Sequence, residues 1–170
     1  SALPVFEYGA VGGGCFMLSA HTEAQECSIT IDKDGTWFYN GLPIINKAIY
    51  LFFNQHLEPT PEGGYRLRIE EETCPVLVED TPFVVVDLRR DHTTEGLEAF
   101  WIRLNDETWE QLDLTTLKIR NDNVPCCRVK KGMFPARFSR PAYYRLAEHV
   151  VEHPDGRFSI PLNNIHHYLG

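Results

Sequence analysis

Val76-Leu77-Val78-Glu79-Asp80-Thr81-Pro82-Phe83-Val84-Val85-Val86-Asp87-Leu88 holds the densest apolar run of the chain, and most of its apolar residues are valine. β-Branched side chains are restricted at χ1 and pack well on a pleated surface, so the local preference is strand. Val76 and Val78 alternate with Leu77 and Glu79, whereas Phe83 to Val86 is apolar at every position. An unbroken apolar run is the pattern of a strand buried on both faces. Glu79-Asp80-Thr81-Pro82 between the two runs is a turn signal, because proline fixes φ and donates no ladder hydrogen bond. The stretch therefore predicts a hairpin, or one long strand bent at Pro82, at the centre of a sheet.

Elements on either side follow from the same periodicities. Ile29 and Ile31 alternate with polar residues and meet Asp34-Gly35, a hairpin cue, before Trp37-Phe38-Tyr39. Asp32-x-Asp34-Gly35 lacks the later oxygen ligands of a calcium loop and reads as a plain turn. Asn46 caps a helix near 46–57, in which Ile49, Phe52, Phe53, His56 and Leu57 share one face. Pro59 and Pro61 stop that helix, Gly63-Gly64 turns the chain, and Tyr65 to Glu70 returns as a strand. Further strands are expected at Leu97–Leu104, within Leu112–Arg120, and at Cys127–Val129. Ser139 caps a second helix near 139–152, with Tyr143, Leu146, Ala147 and Val150 as its apolar face, and Arg157–Leu162 closes as a strand.

An offset of 93 carries Asn46 to Ser139, Tyr50 to Tyr143, Phe53 to Leu146 and His56 to His149. A glycine turn and a strand follow each helix, so a helix–turn–strand unit is expected twice. The fold class predicted is α+β: a curved, mainly antiparallel sheet in two similar halves, each with one helix. The boundaries read from the sequence are an irregular N-terminal arm over 1–27, an N-terminal half over 28–110 and a C-terminal half over 111–170.

Composition narrows the function classes. The chain has 170 residues, 43% hydrophobic and 24% charged, which suits a globular domain. A formal net charge of −8 disfavours non-specific binding to nucleic acid. No apolar run approaches the length of about 18 residues that spans a bilayer, and Phe16-Met17-Leu18 is too short for a signal-peptide core. Five cysteines are an odd number, and adjacent Cys126 and Cys127 point to opposite faces of a strand. Reduced thiols and a cytoplasmic protein are the expectation. Gly12-Gly13-Gly14-Cys15 is no phosphate loop, because no Gly-Lys-Ser/Thr follows.

Taken together, Asp34-Gly35-Thr36-Trp37 through Gly41-x-Pro43-Ile44, Val78-Glu79-Asp80-Thr81-Pro82-Phe83, and Arg140-Pro141-x-Tyr143-Tyr144-x-Leu146 resemble a family of small bacterial proteins built on a domain of unknown function. The resemblance covers roughly 28–170. It implies two repeated halves, each like a truncated pleckstrin-homology domain, and a binding or signalling role by analogy of fold.

Candidate chemistry concentrates in one place. His149 and His153 have the spacing of two ligands on a helix, but no glutamate follows His149, so no metal is assigned. Cys126-Cys127 lacks the spacing of a redox or zinc motif. Glu70-Glu71-Glu72 and Glu79-Asp80 read as solvated turn charges. Arg128, Lys130, Lys131, Arg137, Arg140 and Arg145, by contrast, form a basic stretch with no acidic residue among them. Arg137 and Arg140 flank the cap Ser139, where free N–H groups and the helix dipole favour an anion. The predicted site is thus Arg128, Lys130, Arg137, Ser139 and Arg140, holding an anionic small molecule or peptide without cofactor. Two readings compete with it: these arginines pair with the acidic cluster, or they clamp a phosphorylated substrate in a small enzyme. Homo-oligomerisation through an exposed sheet edge also stays open.

Overall fold

A computed structural model of the chain describes residues 27–170 and, before them, two short paired strands, β1 (Val5–Phe6) and β2 (Leu18–Ser19). Gly12-Gly13-Gly14-Cys15 lies outside the described residues. The chain divides into two units, one holding residues up to Asp32 with Thr36–Glu79, the other Lys33–Gly35 with Asp80–Gly170.

In the first unit, alternating apolar residues build a six-stranded sheet. β3 (Ile29–Ile31), β4 (Trp37–Tyr39) and β5 (Leu42–Pro43) form one antiparallel meander, and α1 (Lys47–His56) follows. β6 (Leu57–Pro59), β7 (Tyr65–Ile69) and β8 (Glu72–Val78) form a second. The two meanders join through a parallel pair, Ile29–Ile31 beside Val76–Val78. Asn46 caps α1 as expected, its side chain accepting from Ile49 N at 3.3 Å. Ile49, Phe53 and Leu57 are buried, and Phe53 meets Trp37 edge-on at 5.4 Å between ring centres. The Trp37 indole N–H donates to buried Asn54 at 2.9 Å.

The second unit repeats that plan. β9 (Phe83–His92), β10 (Glu98–Leu104) and β11 (Trp109–Gln111) form one meander. After a 3-10 turn at Leu114–Thr116 come β12 (Lys118–Ile119), β13 (Pro125–Val129) and β14 (Phe134–Phe138). Again one parallel pair, Phe83–Val85 beside Ala136–Phe138, joins the meanders. α2 (Arg140–Ala147) packs mainly on β9, and the chain closes with a three-stranded antiparallel sheet of β15 (Val151–Glu152), β16 (Phe158–Leu162) and β17 (Ile165–Leu169). The architecture is α+β in two similar halves, each a six-stranded, mostly antiparallel sheet with one helix.

The opening stretch is therefore not a hairpin. Val76–Val78 ends β8 and Phe83–Leu88 begins β9, and these strands belong to different sheets. The cause is the turn residue Thr81, which is buried: its hydroxyl donates to Phe83 O at 2.6 Å and accepts from Arg137 N at 3.1 Å. The chain is thereby fastened to β14 instead of folding back on β8. The division between units accordingly falls at Glu79–Asp80. Phe83, Val84 and Val85 are all buried, as a strand covered on both faces requires.

Two further expectations change. α2 ends at Ala147, five residues short, because the residues ahead of Pro154 enter β15 and a turn; of its expected face only Leu146 is buried, with Ala142 beside it, and Tyr143 is 37% exposed. The cysteines are not all reduced: Cys27 and Cys74 form a disulfide with Cα atoms 6.1 Å apart, an ordinary span for that bond. Alternation within β8 turns Cys74 inward, where sequence alone gave no partner. Among the described residues no helix is long and apolar enough to cross a membrane.

Within this fold the offset of 93 extends much further than the helices. It carries the strand pairs Glu58↔Arg66 and Pro59↔Tyr65 onto Val151↔Ser159 and Glu152↔Phe158. It carries all five β7–β8 pairs, from Tyr65↔Val76 to Ile69↔Glu72, onto the five β16–β17 pairs, from Phe158↔Leu169 to Leu162↔Ile165. Even the turns coincide: Thr60 N bonds Gly64 O as His153 N bonds Arg157 O. A register that persists through two turns and three strands is one structural unit built twice.

Candidate functional site

β13 and β14 form a hairpin that fixes where the basic side chains can go. Its turn, Lys130-Lys131-Gly132, has positive φ throughout, the hand that suits the twist of an antiparallel pair. At that end the Arg128 guanidinium donates to Gly132 O at 3.1 and 2.9 Å and to Met133 O at 3.2 Å. Lys130 Nζ donates to buried Asp106 at 2.6 Å and to the Thr108 hydroxyl at 2.9 Å. Both cations are thus engaged at the turn, and the expectation that they reach the start of α2 is overturned. The turn lies beyond the Val129↔Phe134 pair, whereas α2 starts after the opposite end of β14, beyond Phe138.

Arg137, Ser139 and Arg140 do come together, because β14 runs directly into α2. Ser139 caps the helix, its Oγ accepting from Ala142 N at 3.4 Å, and Pro141 sits in the first turn, where its missing N–H costs nothing. Arg137 Nε donates to Lys33 O at 2.6 Å, and the guanidinium lies 3.4 Å from Asp34 and 3.7 Å from Asp80. The competing reading of the basic stretch thus holds for Arg137, which pairs with Asp80, and Arg145 similarly pairs with Asp87. Arg140 is different. It is exposed and makes no hydrogen bond or ion pair among the described residues.

Beside Arg140 opens a cavity of about 520 Å³, walled by Pro125, Asn123, Arg137, Tyr143 and Tyr144. The tyrosine rings stand 5.9 Å apart between centres, half-exposed, with their phenols available as donors. Asp122 shares the wall, but Arg120 holds it through Nη2 at 2.8 Å and Nε at 3.1 Å. That bond keeps the Asp122 carboxyl below its ordinary range, and Arg120 also grips Asp80. The acidic side chains near the cavity are therefore compensated, while Arg140 is not.

Other candidates lose their chemistry in the fold. Burial pushes the Cys127 thiol up to about 12 and raises Cys126 as well, so neither is a ready thiolate at neutral pH. His149 leaves the helix and packs edge-on against Phe100 at 4.9 Å; burial first, and Arg90 second, pulls its pKa down. Among the described residues no group of three or more His, Cys, Asp or Glu is arranged to hold a metal ion.

One cluster went unread in the sequence. Fully buried Ser159 lies between His153 Nε2 at 2.7 Å and His166 Nδ1 at 3.0 Å, with Tyr168 against His153 and Arg157 4.5 Å above the Tyr168 ring. Its members come from a turn and two strands, so only their register brings them together. A hydroxyl this deeply covered fastens the sheet; it is no accessible nucleophile.

No protein-family model matches the chain, and no curated protein matches it. Among solved structures, it is similar to a DUF1285 family protein from Silicibacter pomeroyi DSS-3, with TM-score 0.68 and 23% identity over 85% of this chain and 79% of that one. A DUF1285 family protein from Shewanella baltica OS155 matches with TM-score 0.59 and 20% identity, over 72% of this chain and 91% of that one. At such identities the likeness is one of fold. Both neighbours are bacterial proteins carrying a domain of unknown function, the class that the sequence resembles.

Proposed function

We propose that the chain is a binding module that holds an anionic small molecule or peptide at the start of α2. The observation that carries this reading is Arg140: a guanidinium at the first residue of a capped helix, beside a cavity of about 520 Å³, without a partner among the described residues. Planar guanidinium donors bond two oxygens of a carboxylate or phosphate at once, and the dipole of α2 adds to the attraction at its start. Arg137, fixed by Asp34 and Asp80, contributes its position and field more than an open donor set. Arg128 and Lys130 drop out of the site.

A sensing or signal-transduction role, on a pleckstrin-homology-like repeat, follows only by analogy of fold. The cytoplasmic location argued from five reduced thiols loses its footing with Cys27 joined to Cys74.

The test is a phosphate titration followed by thermal unfolding. Wild type should gain melting temperature, and Arg140→Ala should lose most of that gain while keeping its phosphate-free stability. Equal gains in both proteins would mark a general salt effect and remove the reading.

A further inference from the structure

A second cavity, of about 540 Å³, lies within the second unit between the β16–β17 hairpin and the β9–β11 meander. Its lining is opposite in character to that of the first. Leu97, Leu112, Leu114, Leu162 and Ile165 supply an aliphatic wall, and Leu97 and Ile165 are more than half exposed. No lysine or arginine lines it; the one side chain there that can become cationic is His167. The cavity is a built feature. Asn163, at positive φ in the β16–β17 turn, accepts from Glu98 N at 3.0 Å and donates to Glu98 O at 2.8 Å, clamping the hairpin onto β10.

Three polar groups in that wall differ in how well they are satisfied. Glu98 is paired with Arg90 at 2.7 Å. Asp113 uses a single oxygen, Oδ1, to accept from Thr115 N and Oγ1 at 3.0 and 2.6 Å, and it makes no ion pair among the described residues. The Thr93 hydroxyl is buried and has no hydrogen-bond partner among the described residues. A buried hydroxyl left without a partner is costly, and native structures usually supply one.

We infer that this cavity binds a small amphiphilic amine, its aliphatic or aromatic body on the leucine wall and its ammonium group at Asp113. A carboxylate with an open oxygen accepts hydrogen bonds, and an ammonium group only donates them. With no lysine or arginine in the lining, a fatty acid or phosphate has no fixed cation to pair with there. The volume falls within the range of small-molecule sites, about 300–1,000 Å³.

The test is a methyl-NMR titration of the full chain with octylamine, 1-octanol and octanoate at fixed ionic strength. Octylamine should shift the methyl signals of Leu97, Leu114 and Ile165 saturably, and octanoate should bind about tenfold or more weakly. Asp113→Asn keeps the oxygen that caps the 3-10 turn. It should weaken octylamine about three- to fivefold, the scale of a solvent-exposed ion pair, and leave octanol unchanged. Equal affinity for amine and carboxylate, an unaltered octylamine affinity in Asp113→Asn, or no saturable shift at those methyls would each overturn the inference.

Discussion

Residues 46–78 and 139–169 share one backbone plan and almost nothing else. Each is a capped helix, a short strand, a tight turn and two longer strands, matched pair for pair at the offset of 93. In the first copy α1 packs on β7 of its own meander, and β8 gains β3 along its second edge. In the second, α2 packs on β9 and β14, strands that precede it, and β17 has no second neighbour among the described strands. Side chains diverge further. Glu58, Arg66 and Arg68 form an ion cluster in one copy, where Val151, Ser159 and Pro161 stand in the other. Register survives because it rests on backbone hydrogen bonds and turn geometry, which tolerate many side chains; surface chemistry has no such constraint. The comparison thus separates scaffold from surface chemistry, and the uncompensated arginine belongs to one copy only.

The strongest way to sharpen this contrast is to cut equivalent cores. Phe53→Ala should cost about 3–5 kcal/mol and its counterpart Leu146→Ala about 2–5 kcal/mol in denaturant unfolding. Tyr143→Ala, on the exposed face of α2, should cost under about 1 kcal/mol. A large loss at Tyr143 would mean that α2 buries a face it is here said to expose.

Next in size is the disulfide. Only the first copy is stapled, since Cys74 corresponds to His167. Reduction should lower stability by about 2–4 kcal/mol, and non-reducing alkylation should leave Cys27 and Cys74 unlabelled. Labelling of both would return the chain to the reduced state that its sequence suggested.

A smaller effect concerns pH. His149, the counterpart of His56, has its pKa pulled below the ordinary value by burial. The unfolded chain therefore takes up this proton more readily than the folded one. The stability this group contributes is present above the unfolded value of about 6.5 and is lost as pH falls through the folded value. His149→Gln should flatten that part of the profile; an unchanged profile would place its origin elsewhere.

Much of the scaffold was legible in the sequence because it rests on local signals. Asn46 and Ser139 are caps, Asp34-Gly35 is a turn, and Phe83–Val85 is buried at every position. β14 was not read from the sequence, although Phe134, Ala136 and Phe138 alternate inward around Pro135. Pairing with β9 begins only at Ala136, which is what makes that proline tolerable. The hairpin at Pro82 was misread because the anchor of Thr81 is Arg137, 56 residues away. The grouping of Arg137, Ser139 and Arg140 was legible for the same reason as the caps: they are neighbours in sequence. Arg128 and Lys130 were misplaced because their partners, Gly132 O and Asp106, follow from a turn and a distant strand.

The central claim is that the second copy alone binds an anion at its helix start, and amide NMR during a phosphate titration tests it most directly. Lys47 is the counterpart of Arg140, so each helix carries a cation at its first residue. Amides of residues 139, 140 and 142–144 should shift saturably while those of 46–51 stay still, and Arg140→Ala should abolish the response. Parallel shifts at both helices, or an unchanged response in Arg140→Ala, would contradict it.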